Sequence, residues 1–385
     1  MKVCIFRASD GACDYYRTVL PMIAAARNGE VSRRELWMPN LLSSIMEDNN
    51  KFVDAMSSDI YFLQRVCGSS VMQKIKEFAR DSKLNPTLIM DYDDDVFNVS
   101  PLSAHYVDYG VDECKIVLQG KVMHEWKNGI NIDIQRNRKR LDEIKKTLGM
   151  VDVVTVTTDI LANVFKPYNN NVKVLPNCVD INEWDKLSLL RQNRDEIRIC
   201  WSGGHSHFED LLKIRKPLIN IAKKYSNVKI IMVGYMPNSM ANDFRPGQLE
   251  FHEWKETPAH PYRTAALDID IALIPLCKNE FSSSKSAIKW IEFASLKVPS
   301  VTSYVTPYKE IEDKFPGKNG LFIEDNDENG WFEGMEILIS NTELRKSIGE
   351  NARKIVEDNF DINKEYKRWV KVFKEASCQL SVIQP

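Results

Sequence analysis

The stretch Ile197-Arg-Ile-Cys-Trp-Ser-Gly-Gly-His-Ser-His-Phe-Glu-Asp-Leu211 decides how this chain is read. An apolar run enters a Gly203-Gly204 turn, and an amphipathic pattern begins near His207 or Phe208. Strand, glycine turn and helix start in that order are the opening of a βαβ unit. Glycines let backbone approach a ligand closely, and free N–H groups at a helix start favour an anion. Ser206 is placed to cap the helix and His205 to reach a phosphate. A plain strand–turn–helix connection would read the same way, so the block speaks to architecture before chemistry. His205-x-His207 also has the look of a metal pair, but no well-spaced third ligand accompanies it.

Working outward, the same rhythm runs on both sides. Upstream, strands are predicted at Val3–Arg7, Asp59–Leu63, Thr87–Met90, Val153–Thr157 and Val172–Leu175. Helical patterns fall between them at Tyr16–Ala26, Val71–Arg80, Gln135–Leu148 and Asp159–Phe165. Downstream, strands are predicted at Ile197–Trp201, Val228–Val233, Ile269–Pro275, Val298–Thr302 and Leu321–Ile323. Strands alternating with helices imply two α/β units, each with a parallel sheet. The polar stretch Asn182–Glu196 marks the boundary, giving domains over 1–185 and 186–360. Two amphipathic helices follow, Thr342–Asn359 and Ile362–Ala376. Trp369 and Phe373, four apart, share a face of the second. That face needs a partner, and the 361–385 segment is expected to pack back on the first domain.

Composition narrows the class. The 385 residues suffice for two or three domains, and 43% hydrophobic with 28% charged residues is the balance of a folded globular protein. A net charge of -2 gives no global pull toward nucleic acid or an anionic membrane. The N-terminus is charged too early for a signal peptide, and no apolar run reaches the length of a membrane span, so a cytoplasmic location is expected. The eight cysteines form no C-x-x-C pair and read as reduced, mostly buried small hydrophobes.

A second block, Asn279-Glu-Phe-Ser-Ser-Ser-Lys-Ser-Ala-Ile-Lys-Trp-Ile-Glu-Phe-Ala-Ser-Leu-Lys-Val-Pro-Ser-Val301, is more specific. A helix is expected to start at Ser283 or Ser284, placing Lys285, Lys289 and Glu292 on one face and Ser284 and Ser286 in the first turn. Two cations, a helix start and a downstream carboxylate make a cradle for a diphosphate with a ribose hydroxyl beside it. A solvated amphipathic helix is the bland alternative. Placement after a strand in the second unit favours the cradle, because ligands bind at the carboxyl ends of such strands.

The order of these blocks resembles the GT-B glycosyltransferases, especially the retaining group called family 4, in a bacterial or phage-type subgroup. Met150-Val-Asp-Val-Val-Thr-Val-Thr-Thr-Asp-Ile-Leu161 and Val172-Lys-Val-Leu-Pro-Asn-Cys-Val-Asp180 resemble that family's strand and turn motifs. Asp268–Pro275 and Lys285–Val301 resemble its last strand–helix–strand. The likeness covers about residues 150–360 well and the first 130 more weakly, through Tyr15-Tyr16-Arg17 and Pro21. It implies two Rossmann-like domains facing across a cleft. A nucleotide-diphosphate sugar, UDP- or GDP-linked, would lie in the second half and an acceptor in the first. No obligatory metal or further cofactor is implied. The chain departs at one point: Glu292 matches the second of two family glutamates, the ribose-holding one, but Ser284 stands where the first is expected. Glu280 is no obvious substitute.

In the first half, Asp10-Gly11 follows the first strand and Arg17 lies in the next helix, all expected on the acceptor side. Asp91-Tyr-Asp-Asp-Asp95 needs a cation, an arginine partner or raised pKa values, unless it is a solvated loop. Asp93 and Asp95 form a D-x-D string, a manganese motif in another glycosyltransferase fold. Two Rossmann-like halves argue against that use. His105 loosely resembles the histidine that touches the donor sugar in related enzymes. Arg136-Asn-Arg-Lys-Arg140, continued by Lys145-Lys146, is a basic helix face, either solvated or directed to an anionic acceptor or nucleic acid. The activity expected is sugar transfer to an acceptor hydroxyl of a glycan, lipid or modified base, with retention. Lys285, Lys289, His105 and Asp93 would act in catalysis. A nucleotide-sugar 2-epimerase and a non-catalytic sugar-nucleotide binder are the competing classes.

Overall fold

The structure is a computed structural model that describes residues 1–38, 50–66, 68–118, 120–187, 194–255 and 259–383. The first half carries strands β1 (Lys2–Arg7), β2 (Ser32–Trp37), β3 (Ile60–Gln64) and β4 (Thr87–Tyr92). It continues with β5 (Cys114–Leu118), β6 (Lys121–Trp126), β7 (Val153–Val156) and β8 (Val172–Val174). The second half carries β9 (Ile197–Gly203), β10 (Val228–Gly234), β11 (Leu249–His252), β12 (Ile271–Ile274), β13 (Ser300–Ser303) and β14 (Leu321–Ile323).

Two six-stranded parallel sheets result, ordered β2-β1-β3-β4-β7-β8 and β11-β10-β9-β12-β13-β14. Helices cover both faces, so the central strands are buried throughout. All five residues of β3 and all six of β4 are inaccessible or nearly so, as parallel strands require. In each sheet the order of the strands reverses once, at β1 in the first and at β9 in the second, and the crevices at such switch points are where doubly wound sheets bind ligands. The expected α/β class with two Rossmann-like halves is what the chain forms.

The segments after these strands meet across a cleft. Tyr16 Oη donates to Glu292 Oε1 at 2.6 Å, Thr158 Oγ1 to the Ser284 carbonyl at 2.9 Å, and Asn177 Nδ2 to Ser286 Oγ at 2.8 Å. Ser100 Oγ donates to Glu209 at 2.9 Å. The carboxyl ends of both sheets therefore face one another.

The last helix, Ile362–Ile383, crosses back to the first sheet. Trp369 and Phe373 pack edge-on against Phe62 of β3, with ring centroids at 5.9 and 5.1 Å. Lys374 pairs with Glu30 at 2.8 Å. The four-residue spacing of the two aromatics thus finds the partner it called for. The segment read as a polar boundary begins instead as a helix, Ile181–Leu187, that buries Ile181 and Trp184; residues 188–193 lie outside the described ones. Among the described cysteines there is no disulfide; Cys4, Cys178, Cys200 and Cys277 are buried, and Cys67 lies outside the described residues.

Candidate active site between the two sheets

The Gly203-Gly204 turn ends β9, next to the reversal point. A side chain on Gly203 would come within 2.7 Å of the Trp201 ring, and one on Gly234, at φ +91, would come within 2.6 Å of the Gly203 carbonyl oxygen. Both glycines are needed for β9 and β10 to close together there. At Gly204 a Cβ would meet nothing within 4 Å, so this backbone faces open space. Beyond it His205–His207 forms a 3-10 turn and Phe208–Lys224 the helix. Ser206 lies within the 3-10 turn and makes no cap; the residue before the helix is His207, whose side chain also makes no cap bond. The two histidines separate: His205 lies on Tyr235, centroids 4.1 Å apart, and His207 Nδ1 meets Asp210 Oδ2 at 2.7 Å.

The second block folds differently from the single helix expected. A short helix, Glu280–Ser283, is capped by Asn279, whose side chain accepts from the Ser282 N–H. The chain then breaks over residues 284–287, and a second helix, Ile288–Ser295, begins. Ser284 and Ser286 therefore do not sit in a first turn, and Lys285 leaves the face that holds Lys289 and Glu292. The reason is local: the Ser284 hydroxyl donates to the Phe281 carbonyl, ending one helix, while its carbonyl accepts from Thr158 of the other half. With its side chain fully buried, Ser284 offers the cleft no functional group.

The break places Lys285 at the interface, where its Nζ lies 3.3 Å from Asp94 Oδ1. Arg65, which follows β3, reaches the same carboxylate at 3.1 Å and bonds Asp93 through Nε at 2.7 Å. The acidic string is thus neither solvated nor uncompensated. Asp91 is paired with Arg17, Asp93 and Asp94 with Arg65, and Asp95 accepts from the N–H groups of Phe97 and Asn98. Burial alone would raise the Asp94 carboxyl, but Lys285 and Arg65 hold it below the usual carboxylate range. His105 precedes the short Tyr106–Tyr109 helix, and burial pushes its pKa down against the pull of Asp94.

Lys289 lies above the Trp201 ring, 5.8 Å from its centroid, with no carboxylate within ion-pair distance among the described residues. Burial, reinforced by Lys285 and opposed by Asp210, brings its pKa down to about 8. Burial and then Lys289 push His207 down to about 4, so at neutral pH it donates from Nδ1 to Asp210 and keeps Nε2 as a bare acceptor. Glu292 is nearly buried, bonded to Tyr16 and 3.8 Å from His260, whose ring stacks on Trp254 at 4.2 Å.

Of the residues expected on the acceptor side, Arg17 is buried, while Asp10 and Gly11 are exposed. Arg17 has no exposed surface and is locked to Asp91, Asn177 and the Leu175 carbonyl. Asp10 is exposed and turned to Arg7 at 2.8 Å; Gly11 precedes the first helix on the exposed loop beside it. The basic helix, Ile134–Leu148, is largely compensated within the chain: Arg140 pairs with Asp108, Lys145 with Asp142 and Lys146 with Glu143. Sequence reasoning missed Arg65, Tyr16, Asp210 and His260 as members of the site. Arg65 had one available signal, the need of an acidic string for an arginine.

No protein-family model matches the chain. Over 70 residues it is 34% identical to an uncharacterized glycosyltransferase of Methanocaldococcus jannaschii, a match spanning 18% of each chain. Among solved structures it resembles a sucrose-phosphate synthase from Thermosynechococcus elongatus, with a TM-score of 0.62 at 13% identity, over 98% of this chain and 100% of that one. It also resembles HepE of Anabaena, solved with UDP and glucose, with a TM-score of 0.61 at 14% identity, over 99% of both chains. The glycosyltransferase WaaG, of lipopolysaccharide biosynthesis, aligns over 97% of this chain with a TM-score of 0.55. The fold is therefore GT-B. No helix among the described residues is long and apolar enough to cross a membrane.

Proposed function

We propose that the chain is a glycosyltransferase that moves a sugar from a nucleotide-diphosphate sugar to an acceptor hydroxyl, with retention. The observation that carries this reading is the convergence of Lys285, Lys289 and the open Gly204 backbone at the reversal point of the second sheet. Lysines and unpaired N–H groups aimed at one space stabilise a departing diphosphate as its charge develops. Glu292, held by Tyr16, supplies a charged acceptor for ribose hydroxyls. His105 faces the donor sugar, and Asp93 holds Arg65 in place beside Asp94. Anabaena HepE has been solved with UDP and glucose and with UDP-glucose, and UDP-sugars are the first donors to try. A panel of UDP- and GDP-sugars in thermal-shift assays tests the donor. Stabilisation by none of them, at concentrations far above ordinary donor affinities, would reject the reading.

A donor that binds and never turns over would favour the non-catalytic alternative, for which the buried Ser284 speaks. Turnover of the donor without any acceptor would favour the epimerase.

Metal enters this scheme at one place. Cys13, Asp93 and Asp94 bring ligand atoms within 4.8 Å of one another, the one such group among the described residues. Arg65 already bonds both carboxylates, so a cation occupies that set. Transfer is therefore expected to persist in excess EDTA. Activity abolished by EDTA, restored by manganese and insensitive to manganese in Asp93→Asn would reassign the cluster as a metal site.

Glu292→Gln is expected to weaken UDP binding by about 1.5–3 kcal/mol through loss of a charged hydrogen-bond acceptor. Tyr16 can still donate to the amide oxygen, which preserves the fold. Unchanged UDP affinity by titration calorimetry would count against the ribose role.

A further inference from the structure

A groove of about 540 Å³ opens between the halves, lined by Asp95, Asn98 and Asn163 from the first and Asn279, Glu280 and Ser283 from the second. It adjoins the proposed donor site through the chain itself. Ser283 lies two residues before Lys285, and Asp95 follows Asp94, the carboxylate that Lys285 touches.

Ile160 and Val164 give the groove an apolar wall against which a sugar ring can lie, and the rest of its lining is polar. Three carboxamides and two carboxylates surround a space in which Lys278 is the single cation among the lining residues, and its ammonium lies 4.0 Å from Asp325. Burial pushes the Asp95 carboxyl upward against the hydrogen bonds from Asn98 and Phe97, and the charge of Glu280 adds a smaller push in the same direction. Asp95 is held rigid by the Phe97 and Asn98 N–H groups and by Asn98 Nδ2 at 2.7 Å. Asn163 Oδ1 accepts from Lys166, and Asn279 Oδ1 accepts from the Ser282 N–H, which leaves both Nδ2 groups to donate. Such a set asks for a ligand rich in O–H groups that both donate and accept. Its two carboxylates disfavour anions, and on the basic helix that might have drawn one Arg140 is paired with Asp108 and Lys146 with Glu143.

From this juxtaposition we infer that the groove is the acceptor subsite and that the acceptor is a neutral saccharide, bound through its hydroxyls by Asn163, Asn279 and Glu280. The inference rests on the glycosyl-transfer reading and adds the acceptor's chemical class to it.

The test uses saturation-transfer NMR on the full chain with UDP present. Maltotriose, chitotriose and mannotriose are the neutral probes. A heparin tetrasaccharide, polyuridylate and phosphatidylglycerol vesicles are the anionic ones. At least one neutral trisaccharide is expected to bind, with affinity falling 5-fold or more in Asn163→Ala and Glu280→Ala, both exposed positions. No anionic probe is expected to compete with it. Competition by an anionic probe overturns the inference, as does neutral binding unchanged in both variants. So does the absence of neutral binding in protein that still binds UDP, an outcome that leaves the donor reading standing. Loss of UDP binding in the parent chain overturns the donor reading and the acceptor assignment together.

Discussion

Lys289→Met is expected to cost about 2.7–4 kcal/mol of transition-state stabilisation, a loss of roughly 10²–10³ in kcat, the range seen when one preorganised donor to a developing anion is removed. The same substitution is expected to raise the melting temperature at pH 7. The two effects share a cause. Burial brings the Lys289 pKa from 10.5 down to about 8, so at pH 7 the fold carries an ammonium in a site that disfavours it. The sign follows from linkage: with the folded pKa below the unfolded one, the destabilisation is fully present below about pH 8 and fades as pH rises toward 10.5. Methionine matches the stem's packing on Trp201 without the charge. A diphosphate needs that charge, so UDP affinity in the parent chain should fall above pH 8, by up to about tenfold per pH unit. Lys289→Arg should flatten that profile, because a guanidinium stays charged throughout. The readouts are turnover, thermal melts at pH 7 and 9.5, and UDP titrations across that range. A variant that keeps near-normal turnover, or melts lower than the parent, would remove Lys289 from the diphosphate site.

Much of the architecture was legible because parallel sheets write themselves as apolar runs. β1, β3, β4, β7, β9 and β10 all fall where β-branched runs lie. What escaped was the exposed edge. Ser32–Trp37 pairs with β1 but carries Arg33, Arg34 and Glu35 on a half-exposed strand, so its pattern reads as a polar connection. The hairpin of β5 and β6 sits apart from both sheets, with few buried positions to mark it.

The candidate site was legible in its residue types and less so in its geometry. Periodicity placed Lys285, Lys289 and Glu292 on one helix face, yet the helix breaks at Ser284. Three serines in a row compete for backbone groups, and here one of them wins. Long-range pairing was out of reach altogether. Tyr16 and Glu292 are 276 residues apart, and Lys285 and Asp94 191 apart. Nothing local to either member announces the other.

Arg17 shows the same limit with the largest energetic consequence. An arginine in a helix after the first strand reads as a surface group for an anionic substrate, but this one has no exposed surface. A π-helical stretch, Tyr15–Val19, carries both it and Tyr16. Its guanidinium donates to Asp91 through Nε at 3.0 Å and Nη2 at 2.7 Å, and to Asn177 Oδ1 at 3.0 Å. The Trp369 ring of the returning C-terminal helix lies 4.8 Å away. One side chain thus joins the first helix, β4, the segment after β8 and the last helix. Asn177 in turn donates to Ser286, beside Lys285, which links this pair to the proposed donor site. Removing one partner of such a buried pair leaves the other charge unpaired in a low-dielectric interior. Asp91→Asn is therefore expected to destabilise the fold by about 3–5 kcal/mol. For a unit of this size that lowers the melting temperature by roughly 6–20 °C. Replacing both members with apolar groups, Arg17→Met with Asp91→Leu, should recover most of the loss, since no charge is left stranded. Thr155, which donates to Asp91 at 2.7 Å, keeps the recovery from being complete. Urea melts of both single variants and the double variant provide the test. A loss below about 1 kcal/mol for Asp91→Asn, the scale of an exposed pair, would mean the pair is not desolvated as its burial indicates. A double variant no more stable than the worse single would mean that the geometry of the pair, rather than its charge balance, holds these four elements together.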